Sequence, residues 1–414
     1  MRNPLLWGLS LALCCTALGA RAEPDWHAAL PPAEPVQRWL DTQPLVRAAD
    51  AGIDLAKAQN QRLQAGPHEW TLKAGLQRRT SDGTPERLRE QDWAIERAVR
   101  WPHKKAQDDK LGELLLSESQ AAREDARHET ARSLLSDWFE QLKARASAQR
   151  LSAQQALADQ QLAGVQLRAK AGEVAQLDVL AAQADQARTR ALASQAHSRW
   201  QLLQRQWPGR YPGLPAPEVT RLPEPVLPEG DSASWALRIM AHNHELEWAR
   251  LRAESAQAQA QRQQQERLAD PLLGVRSANE RSGSERVLGV YLSLPLGGAL
   301  RQAQAAAAQA EAEQAGQRLV MTERELHAKA SEVASAAFDQ HSAWQQLQRA
   351  SEQTRRSADL QWRAYTLGES SLAEVLQARR LAHEDAQAAD NARLDALYSH
   401  ARLVLDAHLL WAQD

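Results

Sequence analysis

A glycine-marked turn that occurs twice constrains this chain more than any other feature. Gly172-Glu173-Val174-Ala175-Gln176-Leu177-Asp178-Val179-Leu180 and Gly368-Glu369-Ser370-Ser371-Leu372-Ala373-Glu374-Val375-Leu376 share Gly-Glu, an acid six residues after the glycine (Asp178, Glu374) and a closing Val-Leu. The copies stand about 196 residues apart, each inside a long polar run rich in Ala and Gln. A single Gly-Glu carries no information. The same ordered set, repeated in matching helical context, is the mark of an internal duplication.

The organisation around the two turns matches as well. Pro35 to about Gly66 reads as a helix that Pro67 stops. Residues 68–101 then alternate: Trp70, Leu72, Ala74 and Leu76 on one parity, then Trp93, Ile95 and Val99 after the turn cluster Ser81-Asp82-Gly83-Thr84-Pro85. Period-two alternation on both sides of a turn predicts a β-hairpin. Trp70, Trp93 and Trp101 suit either an aromatic girdle or the packing of a soluble hairpin. Pro102 opens a helical run that turns near Gly172. Residues 208–231 form a linker dense in proline, which marks the boundary between halves. The second half repeats the order: a helix from Ser232 to about Ala269, a hairpin within 271–296, and a long helix that turns near Gly368 and returns from Leu372.

Leu319, Leu326, Val333 and Leu347 fall on one heptad column, and Ala330, Ala337 and Trp344 on a second. Two narrow seams allow packing against a neighbour on each side, whereas a broad stripe would face a single core. Each long helix should hold about 66–70 residues and span roughly 100 Å. The shorter helices match that length only if stacked end to end. Summed lengths pair the arm after Gly172 with Ser232–Ala269, and the arm after Gly368 with Pro35–Gly66.

The chain starts with features of a secretory signal peptide: Arg2, an apolar Leu5–Leu18, and Ala20-Arg21-Ala22 as a cleavage site, giving residues 1–22. Cys14 and Cys15 lie inside it, and neither is placed for lipid attachment. The remainder, 23–207 and 232–414 around the linker, has no cysteine, which excludes disulfides and thiolate metal sites. Lys/Arg (50) and Asp/Glu (52) are balanced and interspersed, so no basic block points to nucleic acid. No later segment is apolar for long enough to form a membrane helix, which leaves a β-barrel open.

Helix, hairpin, long helix, glycine tip and return, given twice, resembles the TolC-like outer-membrane efflux proteins. The carriers are the two turn motifs, the latter extended to Tyr365 and Ala378, with Leu292-Ser293-Leu294-Pro295-Leu296 before a helix and Asn243-His244-Glu245-Leu246 near the start of the second half. Gln43-Pro44-Leu45 and Arg100-Trp101-Pro102 depart from the family pattern and put the details of the first hairpin in doubt. The resemblance implies a mainly α fold with a small β part. Long antiparallel coiled-coil helices would form an α-barrel, and four strands per protomer would form part of a twelve-stranded transmembrane barrel in a homotrimer. It implies an outer-membrane location with a large periplasmic part, a periplasmic membrane-fusion adaptor and an inner-membrane pump as partners, and no cofactor. Cargo stays open among drugs, secreted proteins and metal ions, the cobalt-zinc-cadmium resistance type included. It further implies that Gly172, Glu173, Gly368 and Glu369 form the adaptor-docking tip. Tyr365 and Asp178 would make a closing hydroxyl–carboxylate link, and Glu374 an acidic ring around the axis. Gln377 stands at the second ring position, and Ser370 replaces a basic link partner.

Two other classes compete. An enzyme would need a phosphate loop, a nucleophile elbow or a His-Glu-x-x-His motif, and none is present. The twelve histidines are scattered. His242 and His244, the closest pair, have i, i+2 spacing that puts them on different helix faces, so they read as solvated and not as metal ligands. A soluble periplasmic coiled-coil scaffold explains the helices and the leader, and leaves the two hairpins unexplained.

Overall fold

A computed structural model describes residues 26–81, 84–218 and 221–411. The signal-peptide reading at 1–22 lies outside the described residues. The order is α1 (Ala33–Leu40), α2 (Pro44–Ala65), β1 (Thr71–Ser81), β2 (Thr84–Ala98), α3 (Pro102–Lys170), α4 (Gln176–Arg210), α5 (Ser232–Ala241), α6 (His244–Gln265), β3 (Leu272–Glu280), β4 (Glu285–Ser293), α7 (Ala299–Thr366) and α8 (Leu372–Asp406). The helix–hairpin–long helix–return order occurs twice. The long helices hold 69 and 68 residues, close to the expected length.

Local chemistry sets the boundaries. Pro44 and Pro102 open α2 and α3, where a fixed φ helps and a missing N–H is harmless. Asp231 and Asn243 cap α5 and α6 by accepting from Ser234 N (2.7 Å) and Leu246 N (2.8 Å). The Asn243 cap splits what the sequence predicts as one helix from Ser232 to Ala269. The hairpins form one antiparallel sheet in the order β1-β2-β3-β4. The first hairpin turn is tighter than the alternation implies, since β2 already starts at Thr84.

The long helix α3 carries a different neighbour on each half of each flank. Arg123 meets Asp50 of α2 (2.9 Å), while Gln141 donates to Leu203 O of α4 (2.9 Å). On the other flank Arg262 of α6 meets Asp108 (2.6 Å), and Arg132 meets Asp406 of α8 (2.8 Å). Hence α2 stacks with α4, and α6 with α8. The pairing inferred from summed lengths crossed the two halves and is wrong. Length matching is satisfied either way, and the complementary side chains along α3 decide it.

The composition points away from a compact core, yet one exists at the middle of the long helices. Val36, Trp39 and Leu40 of α1, Leu134, Leu135, Trp138 and Phe139 of α3, Trp207 and Tyr211 at the end of α4, and Leu394, Leu397, Ala401 and Leu405 of α8 are all buried together. Burying each large side chain contributes about 1.5–3 kcal/mol. The linker expected at 208–231 begins later, because α4 runs through Pro208 to Arg210; its described part beyond Tyr211 is irregular, as its composition predicts, and lies across this core. Pro217 O accepts from Arg145 (3.0 Å) and Pro223 O from Arg393 (3.0 Å). Elsewhere the seams are narrow and rich in alanine: Ala305, Ala308, Ala312, Ala330, Ala334 and Ala337 line α7.

Candidate functional site

The sheet is inverted relative to that of a water-soluble protein. The cross-strand row Leu72–Ile95–Val275–Val290 and the row Ala74–Trp93–Ser277–Leu288 lie on one face. Among the described residues nothing covers that face: Leu76 is 83% exposed, Leu288 79% and Val290 85%. Trp70 and Trp93 are exposed with it, whereas Trp101 is half-buried and donates to Ala269 O (3.0 Å). The opposite face carries the charge. Lys73 pairs with Glu96 (2.7 Å), which also accepts from Tyr291, and Glu90 accepts from Gln77 (2.6 Å) and pairs with Arg79 (3.2 Å). Both glutamates are buried. Water penalises an uncovered apolar face of this extent, and hydrocarbon does not. Among the described residues β1 and β4 each have one edge without a partner strand, which hydrocarbon would penalise unless another chain closed the ladder. Among the described residues no helix is long and apolar enough to cross a membrane.

Where sheet meets helices, a buried ionic network joins the halves. Arg100 donates to Asp108 (2.8 and 2.9 Å), Asp270 (3.0 Å) and Glu266, and Lys104 contacts Asp270 (3.0 Å) and Glu266 (3.1 Å). His68 lies 2.8 Å from Asp270. Burial would raise the Asp270 carboxyl, but hydrogen bonds from His68, Lys104 and Arg100 overcome it and hold it at about 2. In the sequence, the only sign of this network is the basic residue Arg100 in Arg100-Trp101-Pro102, just after the first hairpin.

At the opposite end the two glycines close equivalent turns. Gly172 and Gly368 have φ of 78° and 81°, a region glycine enters without steric cost. Gly172 N donates to Ala169 O (3.0 Å) and Glu173 N to Arg168 O (2.9 Å); Gly368 N donates to Tyr365 O (3.1 Å) and Glu369 N to Ala364 O (2.9 Å). These are paired Schellman motifs. Among the described residues nothing stands within 4 Å of a Cβ built at either glycine. Exposed leucines Leu167, Leu177, Leu180, Leu360 and Leu367 surround the turns.

The residues expected at a constriction gather at this end, with partners that spacing alone does not reveal. Tyr365 is buried beside Val165, Val179, Leu372 and Val375. Its hydroxyl has no hydrogen-bond partner among the described residues, so the Tyr365–Asp178 link is not made within the protomer. The Tyr365 ring instead lies under the Arg168 guanidinium, 5.0 Å from its centroid. Asp178 is half-buried and Gln377 exposed. Glu374 closes a capping box: its Oε2 accepts from Ser371 N (2.8 Å), and its own N–H donates to Ser371 Oγ (3.3 Å). Ser370 Oγ (2.8 Å) and Ser371 Oγ (3.0 Å) also donate to Oε2. These hydrogen bonds, that from Ser371 N first, lower the Glu374 carboxyl below its ordinary range. The Ser-x-x-Glu spacing at 371–374 is the sequence signature of this cap. The first copy has Ala175 where the second has Ser371, and so has no side-chain cap.

No family model and no curated protein matches the chain. Solved structures do. The outer membrane protein VceC from Vibrio cholerae matches with a TM-score of 0.75 at 16% identity, over 93% of this chain and 99% of that one. The fold is that of outer-membrane channels. The Campylobacter jejuni CmeC outer membrane channel matches with a TM-score of 0.70 at 14% identity, over 99% and 93%. The open state of the Neisseria gonorrhoeae MtrE outer membrane channel matches at 0.62 and 16%, over 92% and 90%. The outer-membrane channel fold thus extends over nearly the whole chain, and is shared through backbone path with few identical residues.

Proposed function

We propose that this chain is the outer-membrane channel of an efflux assembly, working as a homotrimer that passes substrates from an inner-membrane pump and a periplasmic adaptor to the outside. The single observation that carries the reading is the inverted sheet, with its apolar face uncovered and its charges on the other. Three such sheets joined edge to edge give twelve strands, satisfy the open edges of β1 and β4, and place Lys73, Glu90 and Glu96 in a polar lumen. The long helices would extend the lumen through the periplasm to the turns at Gly172 and Gly368. Those turns, with Glu173, Glu369 and the leucines around them, are where the adaptor would dock. Glu374 would face the axis there, and Asp178 and Tyr365 would brace the closed tip.

A conduit needs no catalytic residue. The cargo is set by the pump; metal ions and drugs are both compatible with this chain. The deciding experiment is fractionation joined to planar-bilayer recording. The protein should sediment with outer membrane, require detergent, run as a trimer and conduct ions. A monomer released by osmotic shock would sink the reading and favour the periplasmic scaffold.

A further inference from the structure

The apolar face of the sheet ends in a guanidinium on the side where the helices begin. Thr71 pairs with Glu96, so Trp70 stands opposite Arg97, while Arg97 pairs with Leu273 and Leu273 with Leu292. This row lies on the apolar face, next to the row Leu72–Ile95–Val275–Val290. Arg89, paired with Arg78, closes the same face on the far side. It lies about 27 Å along β2 from Arg97 at about 3.4 Å per residue, comparable to the apolar band of about 25 Å on an outer-membrane barrel.

Arg97 has no anionic partner of its own. Its Nε donates to His68 O (3.1 Å), and its guanidinium lies 5.5 Å from the centre of the Trp70 ring. Among the described residues neither Nη has a hydrogen-bond partner and no carboxylate pairs with the group. The neighbouring acids are committed elsewhere: Asp270 to His68, Arg100 and Lys104, and Glu96 to Lys73 and Tyr291 on the opposite face. Arg97, Trp70 and Leu273 line a groove of about 520 Å³ together with Ile95, Val275 and Val290. Arg100 also lines it, but Asp108, Glu266 and Asp270 already take its donors.

We propose that this groove holds one anionic phospholipid of the periplasmic leaflet, with its phosphate on the Nη groups of Arg97 and an acyl chain over Ile95, Val275 and Val290. The proposal rests on the channel reading, which turns this face to lipid. A guanidinium offers two parallel N–H groups that match a pair of phosphate oxygens. Its stem covers apolar surface while its head stays at the polar border, and an indole such as that of Trp70 favours the same depth. A zwitterionic headgroup fits less well, because no Asp or Glu lines the groove to receive its ammonium. A free phosphate would leave the apolar part of the groove unused.

The test uses the full chain, purified in detergent and freed of lipid. In native mass spectrometry, added phosphatidylglycerol should be retained at one per protomer, and phosphatidylethanolamine much less. Glycerol phosphate, the headgroup without chains, should not displace the lipid. Phosphatidylglycerol should also raise the melting temperature, since it binds only the folded form. Arg97→Gln should weaken its retention about tenfold, the loss expected of a hydrogen bond to a charged group. Arg97→Lys keeps the charge without the planar fork and should fall between the two. Equal retention of the two phospholipids by the wild type, or undiminished retention by Arg97→Gln, would overturn the proposal. Displacement by glycerol phosphate would also overturn it and make the groove a site for a soluble anion. If Arg97→Gln fails to assemble, the wild-type comparison decides by itself. A conducting trimer without lipid preference removes this proposal alone, whereas a soluble monomer removes the channel reading with it.

Discussion

Arg100 and Asp270 lie 170 residues apart in the chain and 3.0 Å apart in the fold. One follows the first hairpin and the other precedes the second, so their contact fixes where the two halves of the sheet meet. Lys104 and His68 close on the same carboxylate, leaving a buried charge that cannot lose its partners cheaply.

Asp270→Asn should therefore destabilise the protomer by about 3 kcal/mol at neutral pH, because Arg100 and Lys104 stay buried without it. The folded carboxyl sits at about 2, below its ordinary 3.8. The stabilisation is thus fully present above the ordinary value and is lost as pH falls through about 2. Melting curves of the two proteins in detergent should differ at pH 7 and converge near pH 2. A constant gap across that range would reject the assignment.

Asp125 has the opposite sign. Burial first, then Glu245 and Glu129, push its carboxyl up to about 6 from 3.8. Its protonated form favours folding, so that contribution is present below the ordinary value and disappears as pH rises through about 6. Asp125→Asn should raise the melting temperature at pH 7.5 and leave it unchanged at pH 4.

On the sheet, Val290→Arg places a charge on the uncovered apolar face. In a bilayer this should cost about 2–4 kcal/mol near the midplane and less toward the interfaces. The trimer band recovered from outer membranes should fall sharply. Lys73→Gln, on the opposite face, should assemble normally. Equal yields of the two variants would show that the apolar face does not meet lipid.

At the tip, Glu374→Gln preserves the capping box, because an amide can accept from Ser371 N as the carboxylate does. Folding should be unchanged, while cation preference and block by multivalent cations should both decrease in planar-bilayer recordings. If selectivity and block stay as they were, Glu374 is a helix cap and does not line the opening.

Tyr365→Phe removes a hydroxyl that has no hydrogen-bond partner among the described residues. Protomer stability should therefore change by less than about 1 kcal/mol. If that hydroxyl pairs in the closed trimer, conductance should rise. Unchanged conductance would rule out a closing bond from Tyr365.

The sequence by itself determined whatever depends on local periodicity and turn chemistry. The spacing of Gly172 and Gly368, the alternation around Trp93 and Val290, and the proline starts at Pro44 and Pro102 act within a few residues, so they are legible in one dimension. Tertiary structure decided the partners. Which short helix continues which depended on Arg123, Arg132 and Arg262 finding carboxylates along α3, and summed lengths could not distinguish the options. The central core drew Trp39, Trp138, Trp207 and Leu397 from four helices that lie far apart in the chain. Arg97 reads alone as one more charge near a strand end, and only the sheet register sets it between Trp70 and Leu273 at the border of the apolar face.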